Sequence, residues 1–446
     1  MIPRDAHNWT ISRQPARVVL AICMLLSTCL HLWFLVMPGF EDDLRWQIHW
    51  GRRVAKEGLW KLYEGDYSNR NGRFNHHDIV DYPPVVPLIM GGLVASAKAL
   101  HQREHLNEIV KFTVTVFEVG LVAFLLWLVI KQSHVPEWRR LLVAGLILLN
   151  PGLALATTGW GQIDSLLCLL IVLAFYLGWR DRFWLSTPLI FAAVLTKPQG
   201  VIALGCYLVM LLSRRKYKAF WVQGACGLAL LLSLTVAFRF FSHSNFLDIY
   251  FGAVGAFPAT SWTAFNFWEL IFGDESLHVR DTTRLLGVSY HAIGLALFLA
   301  AVFLAALWFW KRGQTFEHSL LFAGVVFLAF FLFPTEMHGR FLYYPVVLLA
   351  FPAARSNLLL VAYLSLSTIL YLNVKFSMER FAPGMYAEFV MPESMSNAHR
   401  IISLMALAAG AMFFAEILRR RGAPSLGEVA QQNSASLDDL LDRRGS

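Results

Sequence analysis

The chain has 446 residues, 57% of them hydrophobic and only 15% charged, with a formal net charge of +8. A globular domain carries about 25% charged residues, so this composition excludes an ordinary soluble enzyme and points to an integral membrane protein. The basic excess fits Lys and Arg held at the cytoplasmic ends of spans, and no nucleic-acid partner is expected.

A bilayer-spanning helix needs about 20 mostly apolar residues, and hydrocarbon leaves no partner for an open strand edge. The expected fold is all-α: a polytopic, multi-pass membrane protein with about 12–13 transmembrane helices. In chain order, apolar runs cover 17–37, 84–100, 109–130, 139–157, 163–179, 184–196, 199–213, 219–241, 286–310, 318–333, 341–353, 356–373 and 400–418. The first follows Arg4, Arg13 and Arg17 and lacks a small-residue cleavage site, so it reads as a signal-anchor helix. Further basic residues, Arg180, Arg182, Arg214, Arg215, Lys216, Lys218, Lys311, Arg312 and the run Arg419, Arg420 and Arg421, fall at alternating ends. They place both termini in the cytoplasm.

Both termini inside requires an even number of crossings, whereas the runs number 13. The weakest is 84–100, with Pro84, Pro87, Gly91 and Gly92. Either it is re-entrant, or the positive loop 131–140 lies outside against the charge rule, or another run does not cross. The expected organisation is a cytoplasmic N-terminus (1–16), a catalytic transmembrane module (17–213) with an extracytoplasmic loop at 38–83, a second module (214–418) with a loop at 242–285, and a polar cytoplasmic tail (419–446). Cys23, Cys29, Cys168, Cys206 and Cys226 lie in apolar segments without metal-ligand spacing and read as small packing residues. No internal repeat of the transporter kind is visible.

Ionisable groups near membrane depth are costly and mark function. Here they gather at the outward ends of different spans. The first cluster is an amphipathic segment with Arg45, His49, Arg52 and Lys56 on one stripe and Leu44, Ile48, Ala55 and Leu59 on another. Trp46, Trp50 and Trp60 suit a helix lying in the membrane interface. Asp42 and Asp43 open it, and a plain capping role is open to either. Asp81-Tyr82-Pro83-Pro84 follows, then Trp160-Gly161-Gln162-Ile163-Asp164 at the mouth of a span, where Asp164 also suits a cap. Thr196-Lys197-Pro198-Gln199-Gly200 makes a tight turn whose cation could equally snorkel to headgroups. Last comes Pro334-Thr335-Glu336-Met337-His338-Gly339-Arg340. Five polar elements on one side would build a cavity at the outer leaflet.

This ordered set resembles the GT-C superfamily of lipid-phosphate-sugar-dependent glycosyltransferases. Within it, the closest likeness is to the dolichyl-phosphate-glucose glucosyltransferases of N-glycan precursor assembly and their prokaryotic relatives. The resemblance rests on Asp43, Gln47, His49 and Trp50 in the first loop, on Asp81-Tyr82-Pro83-Pro84, on Lys197 with Gln199, and on His338. Gly161-Gln162 matches more loosely, and Gly339 departs from the Met-His-Glu-Arg that prokaryotic members often carry. The resemblance covers roughly residues 17–345. It implies transfer of a hexose, glucose or mannose, from a polyprenyl-phosphate donor to a glycan, lipid-linked or protein acceptor. Transfer would invert the anomeric carbon at the extracytoplasmic face of a prokaryotic plasma membrane. Asp43 would be the general base, with Asp42, Arg45, His49, Trp50, Asp81, Tyr82, Gln162, Asp164, Lys197, Gln199, Glu336, His338 and Arg340 contacting substrate.

The inventory suits that chemistry. A lipid phosphate leaves without protonation, so one carboxylate suffices where glycosidases use two. Fixed cations should meet the developing negative charge; Lys197 and Arg340, with His338, are the candidates. No cofactor is implied: Asp42 with Asp43, His76 with His77, and Glu336 with His338 offer donor atoms without a spacing that singles out a divalent-metal site, although the resemblance leaves a metal open because some GT-C relatives use divalent cations. The rival from another class is a transporter or flippase of lipid-linked sugars, which would share the cavity but need no base. A noncatalytic scaffold leaves Glu336, His338 and Arg340 unexplained.

Overall fold

In the computed structural model, residues 14–64, 80–252, 255–312, 315–381 and 396–419 are described; His76 and His77 lie outside them. Every apolar run read from the sequence is helical, though the run 139–157 is interrupted at Asn150. Seven are long and apolar enough to cross a membrane: Ala16–Val36, Arg103–Ile130, Glu137–Gly159, Tyr217–Phe241, Tyr290–Arg312, Asn357–Phe381 and Ala398–Glu416. Six are shorter: Val85–Ala99, Asp164–Trp179, Phe183–Val194, Gly200–Ser213, Phe316–Leu332 and Gly339–Ala353. The only named strands among the described residues are the two-residue pair Arg284–Leu285 and Val288–Ser289. The protein is an all-α polytopic membrane protein.

Burial sorts the helices by depth in the bundle. Phe316–Leu332 is buried almost throughout and, beyond its first turn, apolar on all sides; Tyr343–Ala353 is both along its whole length, as a central helix must be. Tyr217–Phe241 buries only Gln223 and Phe238 and turns the rest of its apolar surface outward. One contiguous core runs from Phe34 to Phe413 and joins both halves of the chain.

The short helices set the position of the site. Phe183–Val194 has 12 residues and rises about 18 Å, against a hydrocarbon core of about 30 Å. The chain leaving Arg182 therefore turns back below the far surface, with Lys197 at the turn. Val85–Ala99, with 15 residues, is also too short to span that core.

The first cluster is indeed a helix, Glu41–Glu57, with Leu44, Gln47, Ile48, Trp50 and Gly51 buried. Arg45, His49, Arg52 and Lys56 are exposed as their stripe predicts. The apolar stripe needs correcting: Ala55 is exposed, and the helix breaks at Gly58 (φ +88°) before Leu59. Trp50 is a packing residue rather than an interface anchor, 5% exposed with its ring 5.2 Å from Tyr82. This helix packs along Val85–Ala99 through two glycines. A Cβ on Gly51 would lie 2.6 Å from the Met90 carbonyl oxygen, and one on Gly91 would lie 2.5 Å from Val54 Cγ1.

Candidate active site

Asp43 is placed by how the first helix ends. The last carbonyls of a helix have no partner within it. Here Lys111 Nζ donates to Phe34 O at 2.7 Å, to Leu35 O at 3.1 Å and to Met37 O. That clamp fixes the exit into Phe40, whose N–H donates to Trp160 O at 3.2 Å and whose ring lies 4.6 Å from the Trp160 ring. The amphipathic helix starts there with no side-chain cap. Neither Asp42 nor Asp43 is spent on capping: Asp42 is exposed in the first turn, and Asp43 faces the protein.

The facing segment is shaped by a wide turn. Asn150 caps the helix at Pro151–Ala154, accepting from the N–H groups of Gly152 and Leu153, and the chain then widens into a π-helical turn at Leu155–Gly159. Such turns favour functional sites. Gly161 follows at φ +92°, where a Cβ would lie 2.6 Å from Leu44 Cδ2. Only glycine takes that conformation freely, and it turns Trp160 and Gln162 together onto Asp43. Gln47 closes the joint by donating to Gly161 O at 3.3 Å.

Asp43 Oδ2 accepts from Trp160 Nε1 at 2.7 Å, from Arg340 Nη1 at 2.5 Å and from Gln162 Nε2. Oδ1 has no hydrogen-bond partner among the described residues and is not sealed from solvent, the side chain being 25% exposed. Behind Gln162 lies a second layer. Lys197 Nζ donates to Gln162 Oε1 at 3.3 Å and to Asp164 Oδ1 at 2.5 Å, and the Tyr344 hydroxyl donates to the same Asp164 oxygen at 2.5 Å. Tyr82 OH reaches Gln162 Oε1 at 3.4 Å, and the Lys197 ammonium lies 5.1 Å from the Tyr82 ring centroid. The Arg340 guanidinium stacks 5.3 Å from the Trp160 ring. Asp164 does not cap its helix.

Asp81 is half-buried beside these groups. Burial pushes its carboxyl up to about 6, with Arg340 and Lys197 pulling it down and Asp43 pushing it up. Burial, with Arg340 and Lys197 nearby, holds His338 well below its usual value, so its imidazole is neutral at pH 7. His338 is therefore not the fixed cation that the sequence suggested; it packs 4.8 Å from the Phe257 ring and 5.3 Å from Phe341.

The sequence-predicted residues therefore divide. Asp43, Tyr82, Gln162, Asp164, Lys197 and Arg340 form one hydrogen-bonded network, with Asp81 alongside. Asp42, Arg45 and His49 lie on the exposed face of their helix, Arg45 held by Glu41 at 2.5 Å. Gln199 Oε1 is buried without a hydrogen bond, and Glu336 accepts from Gly255 N at 3.0 Å and Phe257 N at 3.1 Å, a loop contact. Lys197 is 2% exposed and committed to Asp164, not the outward-facing cation that its turn suggested. A side chain at Gly339 would meet Ser377 Oγ and Thr263 O at 2.9 Å, so the Glu of the prokaryotic pattern has no room here. Sequence reasoning missed Trp160 as a ligand of Asp43 and missed Tyr344, although Tyr344 follows Arg340 by one helical turn.

The Asp43 carboxylate thus has one oxygen held by three donors and one left open, beside an arginine. The model of glycosyltransferase family 87 matches residues 82–335, more than half of the chain. The chain belongs to glycosyltransferase family 87. That family is of the GT-C type, as the first-loop motifs indicated, and it makes the protein a membrane glycosyltransferase. No curated protein matches the sequence. The family match contains Tyr82, Gln162, Asp164 and Lys197 but ends before Arg340 and begins after Asp43.

Two groups among the described residues bring three metal-ligand atoms within 4.8 Å of one another: Glu269, Asp274 and His399, and Asp281, His291 and Glu336. Neither includes Asp43.

Proposed function

We propose that this family 87 glycosyltransferase moves a hexose, glucose or mannose, from a polyprenyl-phosphate donor to an extracytoplasmic acceptor with inversion, Asp43 acting as general base. The observation that carries this reading is the division of the Asp43 carboxylate. Three donors fix Oδ2, and Oδ1 stays open. A base so oriented takes the acceptor's hydroxyl proton on Oδ1 while the acceptor oxygen attacks the anomeric carbon from the face opposite the phosphate. The carbon–oxygen bond to phosphate breaks, and its electron pair leaves with the lipid phosphate.

Arg340 is suited to receive that charge. Its Nη1 holds Asp43, and Nη2 makes no hydrogen bond among the described residues, so one edge of the fork remains for a phosphate oxygen. The same guanidinium ties base and leaving group together. As the phosphate gains charge, Arg340 shifts its share toward it, and Asp43 becomes more basic at the moment it takes the proton. Lys197 supports the site from behind, through Gln162. A transporter or flippase would need neither this oriented carboxylate nor the family's transferase character.

The test is transfer from a radiolabelled polyprenyl-phosphate hexose by purified protein in lipid nanodiscs. Asp43→Asn should insert normally and lose transfer, and the product of the parent enzyme should carry the anomeric configuration opposite to the donor's. Near-normal transfer by Asp43→Asn overturns the assignment.

A further inference from the structure

Away from the catalytic network, the outward loop meets the start of the helix Ser396–Arg419 at a group of charges that transfer does not use. Glu269 lies in the short helix Phe267–Phe272, whose N-terminus is fixed by Asn266 accepting from the N–H groups of Trp268 and Glu269. Asp274 follows in the turn Gly273–Leu277. His399 arrives from the far helix with its ring clamped 4.3 Å from Phe376 and 5.3 Å from Phe265.

His399 Nδ1 lies 3.3 Å from Glu269 Oε1 and 2.6 Å from Asp274 Oδ1. The residue is 7% exposed, and this nitrogen is buried and hydrogen-bonds to neither oxygen. The nitrogen is within ion-pair distance of both carboxylates but aligned for a hydrogen bond with neither, and two carboxylates facing one imidazole leave these three groups net negative even when the ring is protonated. Both problems are solved by a cation between them.

We propose that Glu269, Asp274 and His399 bind a divalent transition-metal ion of the zinc or manganese class, which fastens the loop 266–277 to the helix Ser396–Arg419. An imidazole with two carboxylates suits such ions better than magnesium or calcium, which favour all-oxygen ligands. Zinc bonds of about 2.0–2.2 Å in a tetrahedron put ligand atoms about 3.3–3.6 Å apart. The His399–Glu269 separation already has that value. Asp274 has to retreat by less than about 1 Å to reach it, and its side chain, 54% exposed, is free to do so. The Ser276 hydroxyl donates to the other oxygen of Glu269 and orients it, as outer-shell partners of metal ligands do.

The experiment uses the full chain, purified in detergent without a histidine tag, stripped with chelator and titrated with Zn2+ alone. About one zinc should bind per chain, and the Tm should rise with zinc concentration. Asp274→Asn and His399→Gln should each weaken that site more than tenfold and abolish the rise in Tm, while His291→Gln leaves both unchanged. Should His399→Gln fail to give monodisperse protein, Asp274→Asn, at an exposed position, decides alone. A parent protein that takes up no zinc, zinc binding that survives in the Asp274 and His399 variants, or loss of it in His291→Gln alone overturns the proposal. In the first case the three residues are a metal-free ion triad; in the second the zinc is adventitious.

Discussion

Arg340 Nη1 lies 2.5 Å from Asp43 Oδ2, across 297 residues of sequence. The helix carrying Asp43 and the turn carrying Arg340 belong to opposite halves of the chain, so this contact closes the site. Arg340→Lys keeps the charge but loses the planar fork, which cannot then hold a carboxylate and a phosphate at once. Transfer should fall about 100-fold in Arg340→Ala, the scale seen when one transition-state donor is removed. Arg340→Lys should recover only a small part. The loss should lie mainly in kcat, measured with saturating acceptor and varied donor. Unchanged donor kinetics in both variants would exclude Arg340 from phosphate binding.

Lys197 and Asp164 form a buried pair at 2.5 Å, their side chains 3% and 1% exposed. Removing one member of such a pair leaves an uncompensated charge and costs about 3–5 kcal/mol. Lys197→Met should therefore lower thermal stability sharply, leaving Asp164 with Tyr344 as its remaining hydrogen-bond donor. Lys197→Met combined with Asp164→Asn should recover most of that stability while transfer stays low, because Gln162 has lost the cation that orients it. Recovery of activity together with stability would make the pair purely structural.

The helices were legible because a bilayer permits few alternatives to them, and each apolar run became helical, with 139–157 interrupted at Asn150. Part of the site was legible for a different reason. Asp43 shares a helical face with Gln47, Trp50 and Gly51, all buried, whereas Asp42 sits about 100° round the helix and faces out. The same periodicity puts Arg45 one turn from Glu41 on the exposed side, so the face separates Asp43 from its neighbours more sharply than the motif does. The pairing of Lys197 with Asp164 was not legible. Both residues sit at helix ends, where capping and snorkelling explain them equally well, and only packing brings the two ends together. Trp160 was hidden among many tryptophans that suit a membrane interface, and nothing local marks its indole N–H as a ligand.

Glu336 gives the turn 334–340 a dependence on pH. Burial pushes its carboxyl up to about 7; the Phe257 N–H lowers it and the nearby Asp281 carboxylate raises it. A carboxyl raised in the fold binds protons more tightly there than in the unfolded chain, so its contribution favours the fold at low pH and is lost as pH rises from about 4.5 to about 7. Glu336→Gln should have the lower Tm at pH 5, since one backbone N–H of Gly255 or Phe257 loses its acceptor. Between pH 5 and 7 its Tm should fall less than that of the parent. Thermal unfolding in buffers of constant ionic strength measures both, and parallel curves would remove Glu336 as the source.

Gly161 tests whether the joint between the two segments sets the position of Asp43. At φ +92° an alanine is strained, and its Cβ would press on Leu44, the residue next to Asp43. The helix Glu41–Glu57 would have to move away, carrying Asp43 off Trp160, Gln162 and Arg340 together. A misplacement of about 1 Å can cost about 100-fold in rate. Gly161→Ala should therefore show a loss in kcat of that order. Gly51→Ala, which presses the same helix about two turns further along against Met90 O, should show a comparable loss. In each variant the helical content should stay at the parent's level by circular dichroism. Relief of Gly161→Ala by Leu44→Ala would identify the clash itself as the cause, whereas a loss that persists in the double variant would point instead to the backbone conformation at Gly161.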